Sequence, residues 1–214
     1  MTTAASAQLS GSIAVQSDYR FRGVSLSDGK PDARASIGYD GASGVYGGAS
    51  LTTVELEPIQ RRPQWLAYVG IVRPGLFGLN WEVGVTTTHF DGDSRYDYSE
   101  LFGGVIGERW SVRLYASPNY FGMRERSTYA EFNGSVPLAE STRAFGHAGV
   151  LTRWEHALPA GAQRTRWDAS VGLGIAVRAV DLQLAWHAVG RGDLYAAPYE
   201  QDHGRWVLSA IYAF

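Results

Sequence analysis

Charged side chains recur at a spacing of two residues in this sequence. Asp18, Arg20 and Arg22 show this spacing near the amino terminus, and Arg166 and Asp168 show it closer to the carboxyl terminus. Side chains two residues apart point to the same face of an extended strand, so each set would gather on one face. Arginine and carboxylate groups gathered in this way either line a path for ions or form fixed pairs with each other. The spacing leaves both interpretations open.

Residues for catalysis or redox chemistry are largely missing. The chain has no cysteine, which excludes disulfides, iron–sulfur clusters, thiolate zinc sites and cysteine nucleophiles. It has no Gly-x-Ser-x-Gly motif, and no histidine is paired convincingly with a serine on a neighbouring strand. The run Asp91-Gly92-Asp93 is more simply a turn than a calcium site. We therefore expect neither an enzyme nor a metal or other cofactor.

The composition narrows the class of protein further. The 214 residues include 26 Gly, 7 Trp, 12 Tyr and 8 Phe, but only 19% of the residues are charged. The net charge of −2 gives no reason to expect a nucleic-acid partner. No apolar run reaches the roughly 18 residues that a membrane-spanning helix needs. Helical membrane proteins are therefore excluded.

Apolar and polar residues alternate with a period of two along most of the chain, which indicates β-strands. Many of the alternating segments are about ten residues long, the length with which a tilted strand crosses a bilayer. Three segments show this alternation clearly, and each has one apolar face. The three apolar faces consist of Leu9, Ile13, Val15, Tyr19 and Phe21; of Leu79, Trp81, Val83 and Val85; and of Trp167, Ala169, Val171, Leu173, Ile175 and Val177.

The pattern predicts an all-β fold, namely a transmembrane, antiparallel, up-and-down β-barrel of about 12 strands. The strands are expected at 9–23, 32–41, 44–56, 63–73, 78–90, 96–107, 110–120, 127–137, 142–155, 164–178, 180–190 and 203–214. Tight connections alternate with longer polar ones at 24–31, 57–62, 91–95, 121–126, 156–163 and 191–202. This alternation is typical of bacterial outer-membrane barrels, with short periplasmic turns and longer extracellular loops.

The barrel is expected to occupy residues 8–214. Residues 1–7 are expected to be a signal-peptide remnant or a disordered terminus, because Ala5-Ser6-Ala7 has the small-x-small form of a cleavage site. A soluble β-sandwich is the alternative fold, but it would not produce the regular alternation of connection lengths. The predicted location is therefore the outer membrane of a Gram-negative bacterium.

The aromatic residues fall into two groups along the predicted strands, as expected for rings at the two membrane interfaces. The group near the long loops comprises Tyr19, Phe21, Trp65, Phe90, Tyr96, Tyr98, Tyr120, Phe121, Trp154, Trp167 and Trp206. The group near the short turns includes Trp81, Trp110, Tyr212 and Phe214. The terminal Phe214 also resembles the carboxyl-terminal signal of outer-membrane barrels, so the barrel-assembly machinery is an expected partner.

One stretch resembles a known family. The sequence Ser17-Asp18-Tyr19-Arg20-Phe21-Arg22-Gly23, followed by Asp28-Gly29-Lys30-Pro31, is similar to the opening signature of the TorF family. That family consists of porin-like outer-membrane proteins of proteobacteria with a similar length, and their solutes are generally unassigned. The resemblance implies a porin-like barrel and does not define a mechanism. From the residues themselves, we expect Asp18, Arg20 and Arg22 in the lumen, Tyr19 and Phe21 facing lipid, and a turn at Asp28-Gly29.

The interior of the predicted barrel is where function is expected. The candidate pore-lining residues are Asp18, Arg20, Arg22, Arg34, Glu82, Arg113, Arg166, Asp168, His187 and Arg205, with Glu100, Glu131 and Asp181 as further members of the same face. Several of the arginines fall toward the long loops, where a ring of them would favour anions. The inward faces of the third, fourth, eighth and ninth strands cannot be assigned from the pattern.

Three functions remain open from the sequence. The favoured one is a narrow channel for passive diffusion of small polar or anionic solutes, because no long segment stands out as a plug. The second is a structural or interaction barrel with a closed, charge-paired interior, and the least favoured is an outer-membrane lipid hydrolase. Expected contacts are outer-membrane lipid and lipopolysaccharide, whose phosphates loop arginines could bind, and a homo-oligomer is compatible with the sequence.

Overall fold

The computed structural model describes residues 7–57, 60–122, 126–154, 163–190 and 204–214. Its strands are β1 (Gln8–Gln16), β2 (Arg20–Phe21), β3 (Val24–Ser25), β4 (Asp32–Asp40), β5 (Val45–Glu57), β6 (Gln60–Pro74), β7 (Asn80–Phe90), β8 (Tyr98–Ile106), β9 (Trp110–Ser117), β10 (Ser127–Pro137), β11 (Thr142–Arg153), β12 (Thr165–Val177), β13 (Val180–Val189) and β14 (Gly204–Ala213). The helices of this part of the chain are the 3-10 turns η1 (Leu76–Gly78), η2 (Ser94–Tyr96) and η3 (Tyr120–Gly122), and none is long and apolar enough to cross a membrane.

Twelve of the strands form one closed antiparallel barrel, which confirms the predicted fold. Each barrel strand pairs with its neighbours in sequence, and β1 closes the ring by pairing with both β4 and β14. The closure leaves no unpaired strand edge, so the backbone hydrogen bonds of the barrel are satisfied within it. The remaining two strands, β2 and β3, form a small separate hairpin.

Side chains alternate across the barrel wall, and the apolar ones point outward. In β12, Val171 is 62% exposed on the outer face, whereas Arg166 on the inner face is 2% exposed. Leu101, Leu173 and Leu208 likewise lie exposed on the outside. A soluble protein buries such residues, so an apolar exterior around a polar interior indicates that lipid surrounds the barrel.

The connections between strands are shorter at one end of the barrel than at the other, as expected, but two predicted segments differ from the structure. Tight turns join β4 to β5, β6 to β7, β8 to β9, β10 to β11 and β12 to β13 at one end. At the other end, the connection predicted at 57–62 is mostly strand, because β5 continues to Glu57 and β6 begins at Gln60. The polar residues Gln60, Arg61 and Arg62 hide this extension from a pattern based on apolar alternation.

The second correction concerns the first strand, which was expected at 9–23. Strand β1 ends at Gln16, and the chain then turns into the β2–β3 hairpin. Arg22 and Gly23 form the two-residue turn of this hairpin, with φ values of 48° and 80°. Left-handed residues at both central positions are typical of the tight turns that suit twisted hairpins. The alternation continues through this bend in the sequence, so the pattern alone does not mark the end of β1.

A cluster of buried apolar side chains fills the long-loop end of the barrel. We call it the outer cluster, and its members are Tyr19, Leu26, Val54, Phe90, Tyr98, Tyr120, Phe121, Tyr129 and Leu151. The prediction that Tyr19 faces lipid is therefore wrong, and so is the same prediction for Phe21, which packs against this cluster. The predicted lipid-interface positions of Phe90, Tyr96, Tyr98, Tyr120 and Phe121 are also wrong, because these rings belong to the cluster or pack on it. Their apolar surface is removed from water inside the barrel rather than in lipid.

Candidate functional site

Residues 17–31, which we call the inner segment, fold into the barrel. Within the segment, Asp18, Tyr19 and Leu26 are almost completely buried. The segment contacts wall strands on opposite sides of the ring, for example Glu100 on β8 and Arg205 on β14. A loop can reach such widely separated strands only from the inside. The prediction that no segment plugs the lumen is therefore wrong.

The carboxylate of Asp18 organises the inner segment. It accepts hydrogen bonds from Arg20 Nε at 2.7 Å, from Ser25 Oγ at 2.5 Å and from Ser27 Oγ at 3.1 Å. Ser27 Oγ in turn accepts a hydrogen bond from the backbone N–H of Tyr19 at 2.9 Å. These bonds hold the β2–β3 hairpin against the chain on either side of it. A buried carboxylate needs hydrogen-bond donors around it, and the donors from three residues of the segment give the segment a fixed shape.

Arg22 anchors the tip of the hairpin to the barrel wall. Its two Nη atoms donate to the two carboxylate oxygens of Glu100, at 2.9 and 2.7 Å. Its guanidinium also lies 4.1 Å from the ring centre of Tyr129 and about 5 Å from those of Tyr115 and Tyr120. Bidentate pairing and stacking on aromatic faces are the two interactions that arginine makes best. The hairpin tip is therefore tied to β8, β9 and β10 at once.

Further contacts hold the rest of the inner segment. Tyr19 Oη donates to Gln64 Oε1 at 3.1 Å, and the N–H of Glu55 donates to the carbonyl of Leu26 at 2.7 Å. The ammonium of Lys30 lies 2.7 Å from the Glu55 carboxylate. This hydrogen bond raises the pKa of Lys30, so the ammonium stays charged at neutral pH. The segment is thus joined to the wall from its first turn to its last.

Gly23 permits the closest approach between the hairpin and the wall. A Cβ atom at this position would lie 2.7 Å from the Cβ of Asp168 and 3.1 Å from Cγ2 of Val189. The residue also has a φ of 80°, which is unfavourable for any residue with a side chain. Both the conformation and the space therefore require glycine here.

A cavity of about 830 Å³ occupies the barrel on the other side of the inner segment. Tyr19 and Arg22 line it where it meets the segment, and Asp40, Val72 and Ile106 line it near the short turns. Among the described residues, the long-loop end is filled by the outer cluster instead. The cavity therefore extends from the inner segment toward the short-turn end.

Most charged groups in the barrel interior are paired. Arg113 on β9 pairs with Glu82 on β7, and Arg143 on β11 pairs with Asp181 on β13, so each of these ion pairs spans the strand between its partners. His147 on β11 forms a hydrogen bond with Asp168 on the adjacent β12. Tyr46 also donates a hydrogen bond to Glu82, and Tyr129 donates to Asp168 at 3.2 Å. Fixed pairs of this kind agree with the alternative that the sequence left open, in which interior charges neutralise each other.

Arg34 differs from these paired groups. Its guanidinium carbon lies 4.5 Å from the ring centre of Tyr19. Among the residues that the structure describes, no carboxylate lies within ion-pair distance of it, and its buried Nε has no hydrogen-bond acceptor. Arg34 lines the cavity, so it is a cationic group inside the barrel without an anionic partner.

All ten candidate pore-lining residues lie on the inner side of the wall or in the inner segment. Seven of them line the cavity, and three do not. The seven are Arg20, Arg22, Arg34, Glu82, Arg113, Asp168 and His187. Asp18 is buried within the inner segment, Arg166 is buried and donates to the carbonyl of Arg22, and Arg205 donates to the carbonyl of Gly29. Whether these residues conduct solutes stays a prediction.

The expected ring of arginines at the long-loop mouth is not a set of free cations. Arg20 pairs with Asp18, and Arg22 pairs with Glu100. On the protruding end of β6, Arg61 lies 3.6 Å from Glu55. The sequence carries further charged residues in its long polar connections, among them Arg191, Asp193, Glu200 and Asp202, and these lie outside the described residues.

Eight of the ten candidate belt aromatics are exposed on the outer face of the barrel. They are Trp65, Trp81, Trp110, Trp154, Trp167, Trp206, Tyr212 and Phe214. The indole N–H of Trp154 donates to Thr128 at 2.9 Å, which leaves the ring on the outer face near the long-loop end. Large exposed aromatic rings at strand ends are typical of proteins that sit in a bilayer.

Sequence reasoning missed His147, Tyr129 and Asn133, which form a hydrogen-bonded group with Asp168 inside the barrel. His147 Nε2 lies 2.9 Å from both Asp168 Oδ1 and Tyr129 Oη, and its Nδ1 lies 2.8 Å from Asn133 Oδ1. These residues are on β10 and β11, whose outward positions carry many small residues and so alternate poorly. The outward Phe132 could have fixed the register, because it places Tyr129, Glu131 and Asn133 on the opposite face.

Solved structures with a similar fold are outer-membrane barrels. The KdgM porin, solved in complex with disordered oligogalacturonate, matches with a TM-score of 0.57 at 10% identity, over 96% of this chain and 98% of its own. A membrane protein solved in work on in-meso crystallization matches with a TM-score of 0.57 at 9% identity, over 96% of this chain and 83% of its own. The outer-membrane channel DcaP of Acinetobacter baumannii matches at 11% identity with a TM-score of 0.47, over 100% of this chain and 99% of its own.

These similarities show the fold, which is that of porin-like β-barrels of the bacterial outer membrane. The curated proteins include no significant match to this chain. Residues 1–191 match the family described as "Bacterial protein of unknown function (Gcw_chp)". That match spans most of the 214 residues, so the chain belongs to the Gcw_chp family of bacterial proteins.

Proposed function

We propose that this barrel is an outer-membrane channel for passive diffusion of small polar or anionic solutes, with the inner segment as its constriction. The observation that carries the proposal is a cavity of about 830 Å³ inside a closed barrel, with charged and hydroxyl side chains such as Arg34, Ser36 and Glu82 in its lining. Barrels of eight strands are filled by side chains, and those of 16 to 18 strands hold wide aqueous channels. Twelve strands leave room for a narrow one.

Two resemblances support the channel class. The stretch from Ser17 to Gly23 resembles the opening signature of TorF-family porins, and we propose membership in that family as the finer assignment. The KdgM porin, which shares the fold, was solved with an anionic oligosaccharide. A channel for polar or anionic solutes agrees with both.

Passage through the barrel requires the inner segment to move, because the cavity ends at this segment. The contact that most restrains its tip is the Arg22–Glu100 pair. Other contacts, such as Tyr19 with Gln64 and Lys30 with Glu55, hold the rest of the segment to the wall, so breaking the Arg22–Glu100 pair releases the hairpin tip alone. The proposed gate is therefore the hairpin tip, and the proposed latch is this ion pair.

Single-channel recording of the refolded protein in a planar bilayer tests the proposal. We expect discrete conductance steps, and we expect Arg22→Ala or Glu100→Ala to increase the open probability several-fold. Arg143→Ala is the matched control, because it also breaks an arginine–carboxylate pair in the interior but does not touch the inner segment. Correctly folded barrels that stay silent in all four forms would refute the channel.

A closed structural barrel is the second candidate, and the outer cluster favours it. The cluster packs nine buried apolar side chains where a permanently open pore would need water. In this case wild type and both latch variants would be silent, although each migrates as a folded, heat-modifiable barrel. Interactions through the exposed loops would then be the next property to measure.

A further inference from the structure

The charged residues that line the cavity are not spread evenly over the strands of the wall. On β8 to β12, the carboxylates that line the cavity have hydrogen-bond partners, such as Glu100 with Arg22 and Asp168 with His147. On β4 to β7, the wall around Arg34 carries hydroxyl groups instead, from Ser36, Ser50, Thr86 and Thr88, all of which line the cavity. Ser36 and Ser50 lie directly opposite each other on β4 and β5. The wall near Arg34 therefore offers several hydroxyl groups for hydrogen bonding, and the acidic residues of these strands that line the cavity are Asp40, near the short turns, and Glu82, which pairs with Arg113.

The acidic residue closest to Arg34 along β4 is not available to pair with it. Asp32 lies two positions earlier on the same face, but Thr52 and Thr53 both donate hydrogen bonds to its carboxylate. On the neighbouring strand β1, the residue that pairs with Arg34 is Ala14, which has no charge. The guanidinium lies instead over the Tyr19 ring, and its buried Nε has no hydrogen-bond acceptor.

The Nε atom of Arg34 is buried and has no hydrogen-bond acceptor among the described residues. A buried polar atom without a partner is costly, and with no carboxylate beside it the guanidinium has no anionic partner among the described residues. Of the described residues with such an atom, only Arg34 lines the cavity. Of the acidic groups that share the cavity with it, Glu82 and Glu100 have arginine partners, Glu131 accepts a hydrogen bond from Tyr115, and Asp168 bonds to His147.

We propose that the end of the cavity beside the inner segment is a binding site for the oxyanion of a small hydroxylated solute, with Arg34 as its anchor. The guanidinium fork matches the two oxygens of a carboxylate or phosphate. The hydroxyl groups of Ser36, Ser50 and Thr86 can donate to and accept from the hydroxyl groups of the solute. The proposal rests on the proposed channel function and names its solute class.

Binding is measured by isothermal titration of the refolded full chain in a zwitterionic detergent. The probes are gluconate for a carboxylate, glucose 6-phosphate for a phosphate and glucose as the neutral counterpart. We expect at least one anion to bind more tightly than glucose, and Arg34→Gln to weaken that binding by at least about tenfold. The ratio of the two anion affinities tells which oxyanion the site prefers.

Two further variants complete the test. Arg109→Gln is the matched control, because it removes one positive charge on an exposed turn outside the cavity and should leave the affinity unchanged. Arg34→Lys keeps the charge but loses the fork, so its affinity should lie between wild type and Arg34→Gln. The heat-modifiable mobility of each variant shows that the barrel has folded.

The proposal is overturned if neither anion binds, if glucose binds as well as the anions, or if Arg34→Gln binds as wild type does. Conductance recorded on the same preparations separates this result from the channel proposal. A barrel that conducts without an Arg34-dependent anion site refutes the site alone. A barrel that binds gluconate through Arg34 but never conducts supports the site and refutes the channel.

Discussion

At the scale of single residues, the Arg22–Glu100 pair is the contact on which the placement of the inner segment most depends. Both side chains are nearly inaccessible to solvent, at 6% and 3% exposure. A buried ion pair gives little net stability, but loss of one partner leaves an unpaired charge in a poorly hydrated site. The pair therefore acts mainly as a restraint on where the hairpin tip can lie.

We expect Glu100→Ala to lower the free energy of unfolding by about 3 kcal/mol, because it leaves the buried charge of Arg22 without its carboxylate partner. The double variant Arg22→Ala/Glu100→Ala should lose less than the sum of the two single losses, since it removes both charges. Urea unfolding of the refolded barrels, in lipid vesicles, measures all three values. Strictly additive losses would mean that the two side chains do not interact.

Gly23 gives a second prediction at the same scale. Gly23→Ala should destabilise the barrel through both an unfavourable φ and a clash with Asp168. Gly78 is the matched control, because it has a φ of 73° but no atom near the added Cβ. We expect Gly78→Ala to cost about 1 kcal/mol and Gly23→Ala to cost about 1–3 kcal/mol more. Equal losses in urea unfolding would show that the hairpin tip is not packed against β12.

At the scale of the strands, the two faces of β12 provide a direct test of what surrounds the barrel. Val171 lies on the outer face and its neighbour Ser170 lines the cavity. Val171→Arg should cost about 2–4 kcal/mol, because it places a charge in the hydrocarbon of the bilayer. Ser170→Arg should cost clearly less, because its charge enters a polar cavity. If the two variants unfold at the same urea concentration, the assignment of the faces is wrong.

Strands with large apolar residues on one face could be predicted from the sequence almost to their ends. In β7 and β12, Trp, Val, Leu and Ile point to lipid and polar residues point inward, so the alternation is strong. In β10 and β11, Ala130, Gly134, Gly146 and Ala148 occupy outward positions, so the two faces differ little in hydropathy. The weak alternation left the inward His147 and Tyr129 unassigned.

The inner segment could not be placed from the pattern for a different reason. Tyr19 and Phe21 continue the alternation of β1, and an aromatic ring satisfies the pattern equally well against lipid or in a buried cluster. The departure from the wall depends on contacts between residues distant in sequence, such as Arg22 with Glu100. Only Gly23 and the Asp28-Gly29 turn signal locally that the chain bends.

At the scale of the whole molecule, the barrel combines a closed outer end with a cavity toward the short turns. The outer cluster and the inner segment block one end among the described residues, whereas the cavity extends toward the other. The molecule is therefore expected to admit small solutes first from the short-turn side. The latch then controls whether they continue to the long-loop side.

Single cysteines can test this asymmetry, because the chain contains no cysteine of its own. Leu76→Cys marks the short-turn end and Arg95→Cys marks the long-loop end, since both residues are exposed there. In vesicles with the barrel inserted in one orientation, a membrane-impermeant thiol reagent added outside should label one of the two. That result defines the orientation. Ser36→Cys in the cavity should then label from the same side as Leu76→Cys.

Labelling of Ser36→Cys also tests whether the Arg22–Glu100 pair keeps the inner segment closed. With Arg22→Ala and Glu100→Ala added, Ser36→Cys should become accessible from the long-loop side as well, because the hairpin tip is no longer held to β8. With Arg143→Ala instead, the accessibility should stay one-sided, since that pair lies away from the inner segment. Labelling of Ser36→Cys from the long-loop side while Arg22 and Glu100 are intact would show that the inner segment does not close the barrel.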